Sequence, residues 1–295
     1  MKKILITGAG SYVGVSVEQY LKRWPDSFRV DTADMHGNEW EKLDFSGYDC
    51  VFHVAGIAHA DIGKLSEEEV RLYYEVNTDL AIAVAKRAKS QGVSQFIFMS
   101  TANVYGDSSP IGQNKIITGD YPLQAVNCYS DSKMKAEEQI GALREDGFKV
   151  VILRCPMIYG KDCRGNYCTL SRMAKKLPVF PKVKNMRSML YIGNLTEFLR
   201  LMIQNEEDGI FCPCDREAVC TSDLVKLIAG AHGKRVVLMP GLGWALKLLS
   251  HLSGKVNKAF GGFYYDASLS VYKEEYRRFT LEEAVRETEL HTQDE

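Results

Sequence analysis

Residues 3–14 read KILITGAGSYVG, an aliphatic run that meets Gly8 at once, then Gly10 and Gly14, with the amphipathic stretch VGVSVEQYLKRW overlapping its end. Few folds require a buried strand to turn directly into a helix over so many glycines. Gly8 and Gly10 fall at the turn, where glycine lets the backbone reverse sharply and leaves room for an anion to approach open amides. Gly14 lets the helix lie close to the strand, with Ser11, Tyr12 and Val13 at the helix N-terminus facing that anion. An ordinary strand–helix turn uses the same ingredients, so the rest of the chain has to decide between them.

The order of elements is the first arbiter. FRVDTAD, DCVFHVAG, SQFIFMS and FKVVILR read as further strands, and EEVRLYYEVNTDLAIAVAKRAKSQG as a helix closed by Gly92. Strands alternating with helices predict α/β architecture, a Rossmann-type doubly wound parallel sheet covered on both faces. Past Arg154 the alternation fails. CPMIYGKDCRGNY is loop-like, KLPVFPKVKN carries two prolines, and NLTEFLRLMIQNEEDG and TSDLVKLIAGAHG read as helices. The apolar GWALKLLSHLSGKVNKAFGG reads as packing for a smaller subdomain. The expected division is residues 1–165 for the sheet domain, with returning segments near 187–204, and 166–295 for a mainly substrate-binding, interleaved subdomain.

In this setting the spacing G-x-G-x-x-x-G, one residue longer than the commonest dinucleotide fingerprint, sits where that fingerprint belongs. A carboxylate at the end of the second strand would accept the adenosine ribose hydroxyls and repel a 2′-phosphate. Asp34 stands there, with Asp31 as the alternative, and no arginine or lysine follows closely, so NAD is expected over NADP. The formal net charge of −1 over 295 residues gives no pull toward nucleic acid or an anionic membrane. No apolar run approaches the ~20 residues of a membrane helix. MKKILITGAG is too short for a signal core, and eight cysteines without metal-ligand spacing read as reduced thiols. The expectation is a cytoplasmic protein with no metal and a small-molecule partner.

NCYSDSKMKAEEQI places Tyr129 and Lys133 four apart in a segment of helical character, hence on one face, a turn apart. A phenol with a solution pKa of ~10 needs a neighbouring ammonium to act as a base near neutrality. FIFMSTANVYG puts Ser100 and Thr101 just past a buried strand, where a hydroxyl can orient a substrate oxygen toward that phenol. His53 reads as a packed or backbone-bonded histidine, and His59 has no evident metal partner.

Taken together, TGAGSYVG, FHVAG, YEVNTD, STANVYG, the Tyr129–Lys133 pair, LRCPMIYG and RSMLYIGNL resemble the extended short-chain dehydrogenases/reductases, in the nucleotide-sugar branch that contains UDP-glucose 4-epimerases. The resemblance implies that Thr101, Tyr129 and Lys133 form the catalytic triad. It implies that Asp44 and Phe45 flank the adenine, that Ala55 and Gly56 lie beneath the cofactor, and that Asn77 and Pro156 stand near it. Arg187 matches the arginine that binds the nucleotide-sugar diphosphate, and Asn103 and Asn166 are further substrate contacts. A UDP-sugar substrate and a homodimer formed through the two helices that include the Tyr129 segment are also implied. The match has departures. Ser11 stands where the family usually has its middle glycine, and Met157 where UDP-galactose epimerases have asparagine. GGFYYDASLS looks more like 4-ketoreductases of UDP-4-keto-6-deoxy-N-acetylhexosamines, enzymes of surface-polysaccharide pathways. Ala102 and Asn103 replace the acidic pair of 4,6-dehydratases. The expected activity is 4-epimerisation of a UDP-hexose, with 4-ketoreduction as the alternative and a non-catalytic nucleotide-binding relative as the third reading.

Overall fold

The computed structural model describes residues 1–58, 65–242, 246 and 260–290. Two compact units interleave along the chain. The first takes Met1–Gly106, Leu123–Cys155 and Thr196–Cys212; the second takes Asp107–Pro122, Pro156–Leu195 and the chain from Pro213 onward. The division thus falls at Cys155 rather than near residue 165, and the returning segment begins at Thr196.

In chain order the first unit opens with β1 (Lys2–Thr7), α1 (Tyr12–Leu21), β2 (Phe28–Ala33), β3 (Cys50–His53), α2 (Glu67–Tyr74), α3 (Ala81–Ser90) and β4 (Gln95–Thr101). After β5 (Asn114–Ile117) of the second unit, it resumes with α4 (Cys128–Gly141) and β6 (Lys149–Cys155). β7 (Met157–Tyr159), α5 (Asn166–Lys176), β8 (Val179–Pro181) and β9 (Met189–Tyr191) follow in the second unit. α6 (Ile192–Gln204) then leads back to the first, which ends in β10 (Gly209–Phe211). α7 (Thr221–Ala231), β11 (Val237–Met239), β12 (Gly262–Tyr265) and α8 (Leu281–Glu289) belong to the second.

The first unit is built on one parallel sheet in the order β10-β6-β4-β3-β1-β2. Its register aligns Leu5, Val51, Phe96 and Val150 in a row across four strands. All four are buried and share a cluster with Ala81, Ala85 and Ala88 of α3 and Ala136 and Ile140 of α4. Alanines on the inner face of α3 let the helix axis approach the sheet, which is why AIAVAKRA reads as weakly amphipathic yet packs tightly. Central strands covered on both faces carry continuous apolar runs, as IFM and VVIL do.

Two elements differ from expectation. The long helix after β3 is not continuous, because a π-helical segment, Glu75–Leu80, separates α2 from α3. The widened turn carries Asn77 and Thr78 into the interior, where the Thr78 hydroxyl donates to the Ser132 carbonyl at 2.8 Å. These polar anchors hold a backbone geometry that apolar periodicity alone does not favour. The second difference is α5, which begins inside the stretch read as loop and buries Tyr167, Leu170, Ser171 and Ala174 at helical spacing.

Among the described residues, the second unit contains three two-stranded parallel pairs, β5–β12, β8–β11 and β7–β9. Within it, Glu289 of α8 accepts from Ser171 and Lys175 of α5 at 2.9 and 3.1 Å and pairs with His232, just past α7, at 2.8 Å. The reading of GWALKLLSHLSGKVNKAFGG falls largely outside the described residues, as does His59. No helix among the described residues is long and apolar enough to cross a membrane.

Gly8 is the tightest point of the β1–α1 turn. Its φ is +113°, and a Cβ there would lie 2.7 Å from the Ala55 amide nitrogen. Backbone atoms cannot step aside as a flexible side chain can. Gly8→Ala is therefore expected to lower stability by about 3 kcal/mol, from left-handed strain plus overpacking. Urea unfolding measures this, and an unchanged midpoint would show that the two segments are not so close.

Candidate active site

The glycine turn is held from below. The amides of Gly8 and Ala9 both donate to the Ala33 carbonyl at the end of β2, at 2.9 and 3.0 Å. Ser11 is the N-cap of α1, its hydroxyl accepting the Gly14 amide at 3.1 Å. A Cβ on Gly14 would stand 2.6 Å from that same oxygen. Serine at position 11 thus caps the helix while Gly10, at φ +78° with nothing within 4 Å of its Cβ position, takes the turn. The intrahelical ladder starts with the Val15 amide on the Ser11 carbonyl at 2.9 Å. The Tyr12 and Val13 amides lie ahead of it, in the first turn, where a helix end attracts anions. An open cradle at Gly10 and amides at a capped helix start fit the diphosphate of a dinucleotide.

The acids sort themselves by position. Asp34 lies just beyond β2, exposed, accepting from the His36 amide at 3.0 Å and facing its ring nitrogen at 2.6 Å. The His36 amide bond holds its carboxyl below the usual range. Asp31 is on the strand itself and accepts the Tyr48 phenol at 3.0 Å. Asp44 is exposed and turns back on the Ser46 amide. The Phe45 side chain is wholly buried in the core, its amide donates to Gln91, and its carbonyl accepts from Tyr48.

Ala55 and Gly56 follow β3, with the Val54 and Ala55 amides both on the Thr7 carbonyl at 3.0 Å. A Cβ on Gly56 would sit 3.0 Å from Asn77 Oδ1 and 3.1 Å from Lys133 Nζ, so glycine is what admits the lysine. Asn77 grips the Ile57 backbone from both sides, accepting its amide at 2.8 Å and donating to its carbonyl at 3.0 Å. It also donates to the Ser132 hydroxyl at 3.2 Å, tying this floor to α4.

α4 starts with a capping box formed by Asn127 and Ser130, which fixes the first turn and with it Tyr129. Tyr129 is half-buried, hydrogen-bonded to Thr101, with Tyr73 edge-on at 6.3 Å. Burial pushes its phenol up, and the Thr101 hydroxyl opposes that. One turn on, Lys133 is almost wholly buried, donates to the Met99 carbonyl at 2.9 Å and lies 4.7 Å from the Phe98 ring centre. Burial lowers its pKa to about 8, against a partly compensating Glu137. Ser100 and Thr101 end β4 rather than follow it. Ser100 donates to Glu137, which leaves Thr101 as the hydroxyl beside Tyr129. His53 is buried, 2.8 Å from the Thr7 hydroxyl, and burial drops its pKa to about 3, so it stays neutral.

In the second unit, Arg187 forms bridges to Val219 and Phe263. Its guanidinium donates to the Gly261 carbonyl at 2.9 Å, and burial lowers its pKa to about 10. Asn166 is exposed at the start of α5, Pro156 is buried directly after β6, and Met157 opens β7 half-buried. Asn103, in the first unit, is exposed, and its amide donates to the Thr101 hydroxyl at 3.2 Å.

A model of the NAD dependent epimerase/dehydratase family matches residues 4–211. The chain belongs to this family. It is an NAD-dependent enzyme. A UDP-glucose 4-epimerase of Vibrio cholerae is 29% identical over 281 residues, 86% of this chain and 83% of that protein. An N-acetyl-alpha-D-glucosaminyl-diphospho-ditrans,octacis-undecaprenol 4-epimerase of Escherichia coli O157:H7 is 28% identical over 283 residues, covering 85% and 81%. Among solved structures, a UDP-glucuronic acid 4-epimerase of Bacillus cereus in complex with NAD superposes with a TM-score of 0.72 at 16% identity, covering 97% of each chain.

For this epimerase/dehydratase family member, sequence reading missed Glu137 and Arg154. Both are buried and joined, with Arg154 Nε and Nη2 donating to one Glu137 oxygen at 2.9 and 2.7 Å. The available signals were an arginine inside the otherwise apolar run VVILRC and a glutamate on the helix face of Lys133.

Proposed function

We propose that this enzyme is a 4-epimerase of a hexose carried on a diphosphate, most simply a UDP-hexose. The observation that carries the reading is the convergence of the Tyr129 phenol, the Thr101 hydroxyl and the Lys133 ammonium at the end of β4. NAD, when bound, supplies the reversible hydride acceptor that an alcohol–ketone–alcohol sequence requires. The Tyr129 phenolate takes the proton of the sugar 4-hydroxyl and returns it to the ketone oxygen after the sugar has turned its other face. Thr101 orients that oxygen by hydrogen bonding. Lys133 favours the phenolate by its charge. Gly8, Gly10, Tyr12, Val13 and Asp34 would hold the dinucleotide, with Ala55, Gly56, Asn77 and Pro156 around it. Arg187, a cation in low-dielectric surroundings, suits the substrate diphosphate, and Asn103 and Asn166 complete the substrate contacts. Ala102 and Asn103 after Thr101 leave dehydration without an acid pair, and the Vibrio cholerae and Escherichia coli relatives, each matched over more than four fifths of this chain, are 4-epimerases.

The test is a product-resolved assay of the purified protein, without added cofactor, on UDP-glucose, UDP-galactose, their N-acetylamino counterparts and a polyprenyl-diphosphate hexosamine. Interconversion at C4 with no net change in reduced-nicotinamide absorbance is expected. Stoichiometric NAD(P)H consumption on a 4-keto sugar, without epimerisation, would instead make it a reductase.

A further inference from the structure

Three residues of α4, each four apart, bind the last three residues of β4. Tyr129 hydrogen-bonds Thr101, Lys133 donates to the Met99 carbonyl at 2.9 Å, and Glu137 accepts from Ser100. Residues at i, i+4 and i+8 share one helix face, so one side of α4 holds the end of β4 at three points. The Glu137 contact is the most constrained. Glu137 is 4% exposed; one carboxylate oxygen takes the Ser100 hydroxyl and the other takes two Arg154 donors. Arg154 in turn donates to the Tyr105 phenol at 2.8 Å and lies 5.1 Å from that ring's centre.

We propose that Glu137, clamped by Arg154 and Ser100, is a positioning residue that sets the depth and charge of Lys133 and aims Thr101 at Tyr129. The inference rests on the reading of Tyr129, Lys133 and Thr101 as the reacting group. A buried ammonium is costly without an anion, and Glu137 is the carboxylate one turn away on the same face. Its charge raises the Lys133 pKa against the lowering by burial. The other groups facing this face of α4, among the described residues, do not supply an anion. They are neutral His53 from β3, Tyr73 from α2, Tyr105 after β4, and Arg154 and Cys155 from β6, while α3 presents alanines. Ser100, held by Glu137, directly precedes Thr101 in β4, so fixing it restrains the backbone that carries the Thr101 hydroxyl.

Glu137→Gln keeps the size and most hydrogen bonds but removes the charge. Lys133 is expected to titrate about one unit lower, and kcat to fall about tenfold at neutral pH with KM little changed. The Lys133 titration is read by NMR of carbon-labelled lysine in the protein without substrate, so it does not depend on any turnover assay. Breaking a buried pair also destabilises. The second variant, Glu137→Met with Arg154→Met, removes both charges and restores apolar packing. It is expected to regain thermal stability while Lys133 titration and kcat remain displaced. If either folded variant titrates Lys133 and turns over as the parent does, the residue is structural only and the proposal is wrong. Failure of the catalytic reading would look different, since Tyr129→Phe would then retain activity.

Discussion

Tyr129→Phe is expected to lower turnover by about a thousandfold, within the range for loss of a general base, while NAD affinity and thermal stability stay near those of the parent. The ring remains half-buried beside Tyr73 and keeps its packing. The phenol loses only its bond with Thr101, whose oxygen still accepts the Asn103 amide at 3.2 Å. The pH profile carries more information than the rate. Burial raises this phenol, and the Thr101 hydroxyl opposes the rise. Turnover should therefore increase with pH until the phenolate forms, and the acid limb should move to higher pH when the Thr101 hydroxyl is removed. Steady-state kinetics across pH and a fluorescence titration with NAD measure both quantities. Turnover surviving in the phenylalanine variant would reassign the base.

Much of this arrangement was legible because its signals are local. A strand, three glycines and a helix within a short stretch leave few backbone solutions, and a tyrosine and lysine four apart must share a helix face. What escaped depends on partners distant in sequence. The three-residue strands β7, β8, β9, β10 and β11 exist because a neighbour completes their ladder, and no periodicity marks so short a run. The π-helical segment is invisible to a 3.6-residue pattern, since the Asn77 bonds to Ile57 and Ser132 decide it. Ser100 and Thr101 are equivalent hydroxyls on paper until their partners, Glu137 and Tyr129, tell them apart.

Lys133→Met should yield a protein that is nearly inactive yet more stable at neutral pH. Burial lowers the lysine from its ordinary 10.5 to about 8. At pH 7 the folded chain therefore carries a charge that it disfavours by roughly 3 kcal/mol relative to the unfolded chain. This cost is fully present below about 8, shrinks as pH rises from there toward 10.5, and vanishes above it, where the lysine is neutral in both states. Methionine fills nearly the same volume without the charge. It abandons the Met99 carbonyl, a loss of about 1 kcal/mol. The net gain of about 2 kcal/mol should raise the melting temperature by several degrees at pH 7 and fade by pH 10.5. Turnover should drop about a hundredfold, because the phenolate loses its compensating charge. A variant that is less stable at pH 7, or whose advantage does not shrink at alkaline pH, would mean that the ammonium is better solvated than its burial implies. The stability forfeited by burying this ammonium beneath the Gly56 floor is then the thermodynamic signature of a residue retained for chemistry, because packing alone would favour an apolar side chain there.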